Sequence, residues 1–106
     1  MASTADFVGH VCEQLAPAGD ITSKKMFGEY GIYLNGRMVA AICDNQLFFR
    51  NTEAGRHLAP HLPLAPPYPG AKPYLLVEAL DDHDLLIGLA RATWDEAPVP
   101  KPRKGR

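Results

Sequence analysis

Apolar residues near the start of the chain recur every three or four positions, the spacing that places side chains on one side of a helix. Ser3, followed three residues later by Asp6, resembles a capping box at a helix start. Pro17 and Gly19 are helix stop signals. The pattern therefore predicts an amphipathic helix over residues 3–16. Its apolar stripe consists of Phe7, Val8, Val11, Cys12 and Leu15.

Residues 24–50 show the two-residue alternation of β-strands and contain two turn signals. Asn35-Gly36 is a strong hairpin signal because both turn positions need positive φ, and Asp44-Asn45 can form a second tight turn. Three antiparallel strands are predicted. The predicted cross-strand pairs are Tyr33 with Met38, Ile32 with Val39, Ile42 with Leu47, and Ala40 with Phe49.

These pairs sort the strand residues onto two faces. We expect one face to pack against helices: Phe27, Tyr33, Met38, Ala40, Ile42, Leu47 and Phe49. The opposite face is also largely apolar: Tyr30, Ile32, Leu34, Val39, Ala41, Cys43 and Phe48, with Arg37, Gln46 and Arg50. A monomer of this size has few elements to cover both faces, and large apolar patches are rare on monomers. We therefore expect a homodimer, unless the proline-rich segment covers the second face.

The remaining chain predicts two helices separated by a proline-rich segment and a strand. Residues 52–59 form a short helix capped by Asn51 or Thr52, and Pro60 ends it. The segment from Pro60 to Pro73 holds six of the ten prolines, which predicts a loop or a broken edge strand. Residues 74–79 follow as a strand.

The last predicted helix runs from a cap at Asp81 or Asp82 to about residue 96, with Leu85, Leu86 and Leu89 on its apolar side. The element order is α-β-β-β-α-(β)-β-α, with helices at both ends of an antiparallel meander. This order predicts an α+β fold in one domain over residues 1–97. Residues 98–106 form a flexible, proline-rich basic tail with Lys101, Arg103, Lys104 and Arg106.

Charge and composition narrow the class of partner. That tail carries four of the eleven basic residues and none of the twelve acidic ones, so residues 1–97 are net negative. An acidic body is not expected to bind duplex DNA specifically, because phosphate affinity comes mainly from Lys and Arg. No run approaches the roughly 18 apolar residues that cross a bilayer, and the first residues are not expected to act as a secretory signal. We expect a cytoplasmic protein that does not bind membranes.

The residues that could carry chemistry each have an ordinary structural explanation. His57 and His61 are four residues apart, but Pro60 lies between them and no third metal ligand is near. The acidic residues 81–84 suit a helix start, and Cys12 and Cys43 resemble buried thiols. We expect no catalytic residue, no metal and no cofactor. The alternative is a ligand-binding protein or enzyme with a cleft beside residues 60–73, where Tyr68, Tyr74, His57 and His61 converge.

Residues 25–40, with the sequence KMFGEYGIYLNGRMVA, resemble the N-terminal domain of the TfoX (Sxy) family of competence regulators. That family typically shows M-F-G-G-Y-G, an apolar strand, a D/N-G turn and a basic residue before Met. Two departures are Glu29, where the family has its second glycine, and residues 60–73, where the family has a regular strand. The second domain of the full regulators has no counterpart here.

The resemblance implies an α+β fold and a regulatory role, which the full regulators exert on DNA-uptake genes together with the cyclic-AMP receptor protein. We therefore expect a non-enzymatic interaction module that acts on a transcription factor or on a second copy of itself. Aromatic residues dominate interface energetics, and two glycines suggest a distorted strand. The expected contact residues are Phe27, Gly28, Tyr30, Gly31, Ile32 and Phe48.

Overall fold

A computed structural model describes residues 3–26 and 29–96 of the chain. Its elements, in chain order, are α1 (Ala5–Leu15), a short 3₁₀ turn (Ala16–Ala18), β1 (Ile21–Met26), β2 (Glu29–Leu34), β3 (Arg37–Cys43), β4 (Gln46–Phe49), α2 (Glu53–Leu58), β5 (Leu64–Ala65), β6 (Tyr74–Val77) and α3 (His83–Glu96). The strands form one antiparallel sheet in the order β1-β2-β3-β4-β6-β5. The predicted α+β class and order are confirmed.

Both predicted turns form with the expected left-handed backbone. Asn35 and Gly36 have φ of 48° and 87°, and Asp44 and Asn45 have φ of 53° and 56°. They join β2 to β3 and β3 to β4. The meander has one strand more than predicted, because Ile21–Met26 forms its own strand against β2. That strand contains Thr, Ser and two Lys, so its apolar content was too low to signal it.

Helix ends follow the local capping chemistry. Thr4, rather than Ser3, caps α1 by accepting a hydrogen bond from the Phe7 N–H at 3.1 Å. Thr52 caps α2 and accepts from the Gly55 N–H at 3.0 Å. Asp82 precedes α3 and accepts from the Leu85 N–H at 3.3 Å. The predictions for α2 and α3 are therefore confirmed, and the cap of α1 lies one residue later.

A β-bulge between β2 and β3 changes which side chains face the helices. Tyr33 pairs with Met38 as predicted, but Ile32 pairs with Ala40, so Val39 is an extra residue on β3. Val39 and Ala40 are both fully buried in the core. The prediction that paired Ile32 with Val39 is therefore wrong. The bulge lets two adjacent apolar residues point into the core, which strict alternation forbids.

One hydrophobic core joins α1 and α3 to the sheet face that we call the inner face. Val11 and Leu15 of α1 and Leu86 and Leu89 of α3 are at most 1% exposed. The inner-face residues in this core are Ile32, Leu34, Val39, Ala40, Ile42, Leu47, Phe49, Leu75 and Val77. Tyr33 and Met38, expected here, are half-buried outside this cluster, and Phe27 lies outside the described residues. None of the described helices is long and apolar enough to span a membrane.

The proline-rich segment contains a minimal edge strand. Leu64 and Ala65 pair with Leu75 and Tyr74, so β5, β6 and the chain between them form a hairpin at one edge of the sheet. We call residues 64–77 the edge hairpin. Proline removes the N–H that a longer strand would need, and this explains why β5 ends after two residues. The alternative of a broken edge strand is thus the one that the structure shows.

Candidate functional site

The sheet face opposite the inner face, which we call the outer face, is partly covered by the chain itself. Ala41, Cys43 and Phe48 alternate with inner-face residues, so they lie on the outer face, yet each is at most 7% exposed. Tyr33 lies beneath Lys24, whose Nζ is 5.1 Å from the ring centroid. The outer face is therefore not the bare apolar surface that the sequence suggested.

A cavity of about 730 Å³ lies between this face and the edge hairpin, and we call it the sheet–loop pocket. The strand side contributes Glu29, Tyr30, Met38, Ala41, Cys43 and Asp44. The hairpin side contributes Pro67, Tyr68, Pro69 and Tyr74. Because hairpin residues and outer-face residues line the same space, the proline-rich segment lies over the outer face, as the competing prediction proposed. The volume is within the range of about 300–1,000 Å³ of small-molecule sites.

β2 and β3 carry small residues where they face the hairpin, which leaves space for the sheet–loop pocket. Gly31 pairs with Ala41, and Cys43 follows two positions later on the same face. Gly31 is buried and has no side chain, and the methyl group of Ala41 is short. Larger side chains here would fill the space beneath the hairpin. The second glycine of the predicted contact set thus pairs with a pocket-lining residue, and the described bulge lies further along, at Val39.

Two carboxylates, Glu29 and Asp44, stand at the β3–β4 turn end of the pocket. Glu29 Oε1 accepts from the Ser3 N–H at 3.1 Å, and Glu29 Oε2 accepts from the Asp44 N–H at 2.9 Å. The Asn45 N–H donates to Ser3 Oγ at 2.9 Å, and the Thr4 N–H donates to Asn45 Oδ1 at 2.9 Å. This network holds the start of α1 against the turn and fixes the position of the Glu29 side chain.

The ionisation of the pocket follows from its hydrogen bonds and its burial. Partial burial by itself raises the pKa of Glu29, but the hydrogen bonds from Asp44 and Ser3 outweigh it and hold that pKa below its ordinary value. Burial raises the pKa of the Cys43 thiol, and the charges of Glu29 and Asp44 raise it further. Glu29 is therefore a carboxylate at neutral pH, while Cys43 is protonated and a poor nucleophile.

A smaller cavity of about 490 Å³ adjoins the sheet–loop pocket and shares Tyr68 and Tyr74 with it. Its other lining residues are Arg50, Asn51, Ala71, Lys72 and Pro73. Tyr68 and Tyr74 thus lie between the sheet–loop pocket, which contains Glu29 and Asp44, and a smaller cavity that contains Arg50 and Lys72. The alternative reading of the sequence placed Tyr68 and Tyr74 in one cleft, and the structure does bring them together.

The two histidines of that alternative reading take no part in either cavity. His57 lies on α2 and His61 in the turn after it, and both are exposed. Neither lines the sheet–loop pocket or its smaller neighbour. Across residues 3–26 and 29–96, no group of three or more His, Cys, Asp or Glu residues is placed to hold a metal ion.

The contact residues expected from the sequence are divided by the structure. Tyr30 is half-buried, pairs with the inner-face residue Ile42 and packs against the core, so it was predicted on the wrong face and only borders the pocket. Phe48 is 3% exposed beneath the outer surface. Ile32 is fully buried on the inner face, because the bulge reverses the face that was predicted for it. As a fully buried residue, Ile32 cannot contact a partner. The expected sites outside the described residues are Phe27, Gly28, Lys101, Arg103, Lys104 and Arg106.

Sequence reasoning missed the acidic end of the pocket, although one signal pointed to it. Glu29 had been noted where the resembling family has glycine, and it is the residue that joins the chain start to the β3–β4 turn. Its partners are 26 and 15 residues away along the chain. Local patterns do not reveal contacts at such separations.

Comparisons with known proteins agree with this architecture. The sequence model of the TfoX N-terminal domain matches residues 13–97 of the chain. A protein from Spirochaeta aurantia, described as an uncharacterized 12.7 kDa protein in the trpE 5′ region, is 34% identical over 107 aligned residues. That alignment covers 100% of this chain and 93% of the Spirochaeta protein.

Proposed function

Because the chain belongs to the TfoX N-terminal domain family, we propose that it is a non-catalytic regulatory module that acts by binding another protein. Burial raises the pKa of both free thiols, Cys12 and Cys43, so neither is activated for nucleophilic chemistry. The proposed function is therefore binding of a partner, without catalysis of a reaction.

The observation that carries this proposal is the exposure of large apolar side chains on the edge hairpin. Leu64 is 50% exposed and Tyr68 is 57% exposed, although both are side chains that usually gain from burial. Prolines 66, 67, 69 and 73 fix φ along the same hairpin. A hairpin that is already ordered loses less conformational entropy when a partner covers it.

The partner that we propose is a transcription factor. The first candidate is the cyclic-AMP receptor protein, together with which the full regulators of this family act. A role in competence is part of the same proposal. The basic residues Lys101, Arg103, Lys104 and Arg106 would add salt-dependent contacts to an acidic partner or to DNA. The acidic remainder of the chain is not proposed to bind duplex DNA specifically.

The test measures binding of the purified cyclic-AMP receptor protein from the same host to the full chain and three variants. Leu64→Ser and Tyr68→Ser should each weaken binding about tenfold, the scale of an apolar interface anchor. Leu58→Ser is the matched control, because Leu58 is 49% exposed but lies on α2. Absence of binding by the wild-type chain would reject the proposed partner. Equal losses of affinity in all three variants would reject the proposed surface.

Self-association is a second proposal, and the surface that supports it is smaller than the outer face that the sequence suggested. The outer face does not need a second copy to bury Ala41, Cys43 and Phe48, which are already covered. A second copy would still cover Leu64 and Tyr68, and a two-fold axis lets the same surface meet itself. We therefore propose a homodimer that uses the edge hairpin.

A further inference from the structure

We propose that the sheet–loop pocket binds a small organic cation, one with an apolar body and an ammonium group at one end. This inference goes beyond the proposed protein partner, because the pocket floor and its acidic end lie on β2, β3 and the β3–β4 turn. Of the two proposed interface residues, Tyr68 lines the pocket but Leu64 does not.

The size and walls of the pocket define the apolar body. A volume of about 730 Å³ is enough for a ligand larger than a single side chain. Ala41, Met38, Pro67 and Pro69 offer apolar surface on both sides of the space. The methionine side chain is flexible and polarisable, so it can adapt to ligands of different outline. A flat or chain-like hydrocarbon group fits between the sheet and the hairpin and contacts these apolar side chains.

The acidic end defines the charge of the ligand. The Glu29 carboxylate accepts hydrogen bonds from two backbone N–H groups and from the Ser3 hydroxyl, and a carboxylate can accept about four. An ammonium group can therefore bond to Glu29 without displacing Ser3 or Asp44. Asp44 lines the same end and adds a second negative charge. An anionic ligand would be repelled from both carboxylates, and a neutral one would gain no charge-assisted hydrogen bond.

The aromatic residues favour the same charge. Tyr68 and Tyr74 line the hairpin side of the pocket, and the faces of tyrosine rings attract cations. The basic residues Arg50 and Lys72 line the neighbouring cavity, beyond Tyr68 and Tyr74. This separation of charges gives a ligand one favoured direction, with its cationic end toward the β3–β4 turn.

The experiment compares three probes of nearly equal size in titrations followed by amide NMR spectra of the full chain. The probes are 2-phenylethylamine, which is cationic at pH 7, neutral 2-phenylethanol and anionic phenylacetate. The amine should bind with a roughly millimolar dissociation constant, as expected for so few atoms. It should shift the amide signals of Ala41, Cys43 and Asp44. The alcohol should bind about fivefold more weakly, the scale of one partly hydrated ion pair. Phenylacetate should leave these signals unchanged.

Three variants assign any binding to the pocket. Asp44→Asn keeps a residue that tolerates the φ of 53° while removing the charge, so it should weaken the amine about fivefold and leave the alcohol unchanged. Ala41→Leu should fill the floor and weaken both, while protein-partner binding is retained. Glu13→Gln, which removes a negative charge from an exposed position on α1, is the matched control and should change nothing.

Equal affinity for the three probes, shifts confined to residues away from the pocket, or an unchanged affinity in Asp44→Asn would overturn the inference. Because Ala41→Leu can also perturb folding, its spectrum in the absence of ligand must first match the wild type. Loss of the proposed protein partner with retained amine binding would reject only the proposed function.

Discussion

The guanidinium carbon of Arg37 lies 4.1 Å from the ring centroid of Trp94, and Arg37 Nη1 donates a hydrogen bond to the Trp94 carbonyl oxygen at 3.0 Å. Trp94 is in the last turn of α3, where carbonyl groups have no partner within the helix. Arg37 opens β3 and pairs with the inward-facing Leu34. One side chain thus joins the start of a central strand to the end of the last helix.

Replacing Arg37 should loosen this junction. Arg37→Ala removes both the ring contact and the carbonyl partner, and should lower the free energy of unfolding by about 1–2 kcal/mol. Arg37→Lys keeps the charge but not the planar stacking, and should lose less. Urea denaturation followed by tryptophan fluorescence measures both. Arg91→Ala is the control, because the hydrogen bond from Arg91 to the Pro17 carbonyl oxygen is exposed and long, at 3.5 Å. Equal losses at positions 37 and 91 would contradict the assigned role.

The bulge predicts unequal costs for two substitutions on β2 and β3. Ile32→Ala should cost about 2–5 kcal/mol, because Ile32 is fully buried in the core. Met38→Ala should cost about 1 kcal/mol or less, because Met38 is half-buried on the outer face. Chemical denaturation of the two variants measures the difference. Strict alternation without a bulge would bury Met38 and expose Ile32, so Met38→Ala would then cost more than Ile32→Ala. A larger loss of stability in Met38→Ala than in Ile32→Ala would therefore reject the bulge.

Glu29 should make stability depend on pH at the acidic end. Its folded-state pKa is lowered, so the folded protein binds fewer protons than the unfolded chain in that window. The resulting stabilisation is present above the ordinary glutamate pKa and is lost as pH falls through the lower folded-state pKa. Urea unfolding between about pH 7 and pH 3 should therefore show a smaller decline in Glu29→Gln than in the wild type. An identical decline in both proteins would show that Glu29 is not the group responsible.

The homodimer can be tested by sedimentation at roughly micromolar to tens of micromolar concentration, where weak dimers dissociate visibly. The proposal expects a species of twice 11.6 kDa that shifts toward the monomer in Tyr68→Ser. Leu58→Ser should sediment like the wild type, since Leu58 lies on α2, away from the edge hairpin. A single species of 11.6 kDa throughout the range would reject self-association and leave the edge hairpin to a different partner.

Features that depend on neighbouring residues could be predicted from the sequence, and those that depend on distant ones could not. The turns at Asn35-Gly36 and Asp44-Asn45 need a left-handed backbone, which these residue types tolerate, so the hairpins were predictable. The caps at Thr52 and Asp82 are equally local. The bulge was not, because residues on either side of Val39 are apolar and any register buries some of them.

The candidate site was predictable only in part for the same reason. The alternative hypothesis placed Tyr68 and Tyr74 in one cleft, because Tyr68 lies in the proline-rich segment and Tyr74 follows it, and both line the sheet–loop pocket. The acidic end arises from Glu29 and the β3–β4 turn, which are separated by a whole hairpin and joined through hydrogen bonds. His57 and His61 are close to that segment in sequence, yet His57 lies on α2 and His61 in the turn after it, and neither lines the pocket.

The extra residue at Val39 also determines where the chain tolerates a change of length. Removing it would join Met38 to Ala40 and leave each remaining pair of β2 and β3 intact, with every side chain on its present face. Removing Ala40 or Ala41 has the same effect, because Val39 then pairs with Ile32 and the remaining alanine pairs with Gly31. Relatives that differ by one residue in this strand can therefore share the same fold, provided that the gap falls between positions 39 and 41.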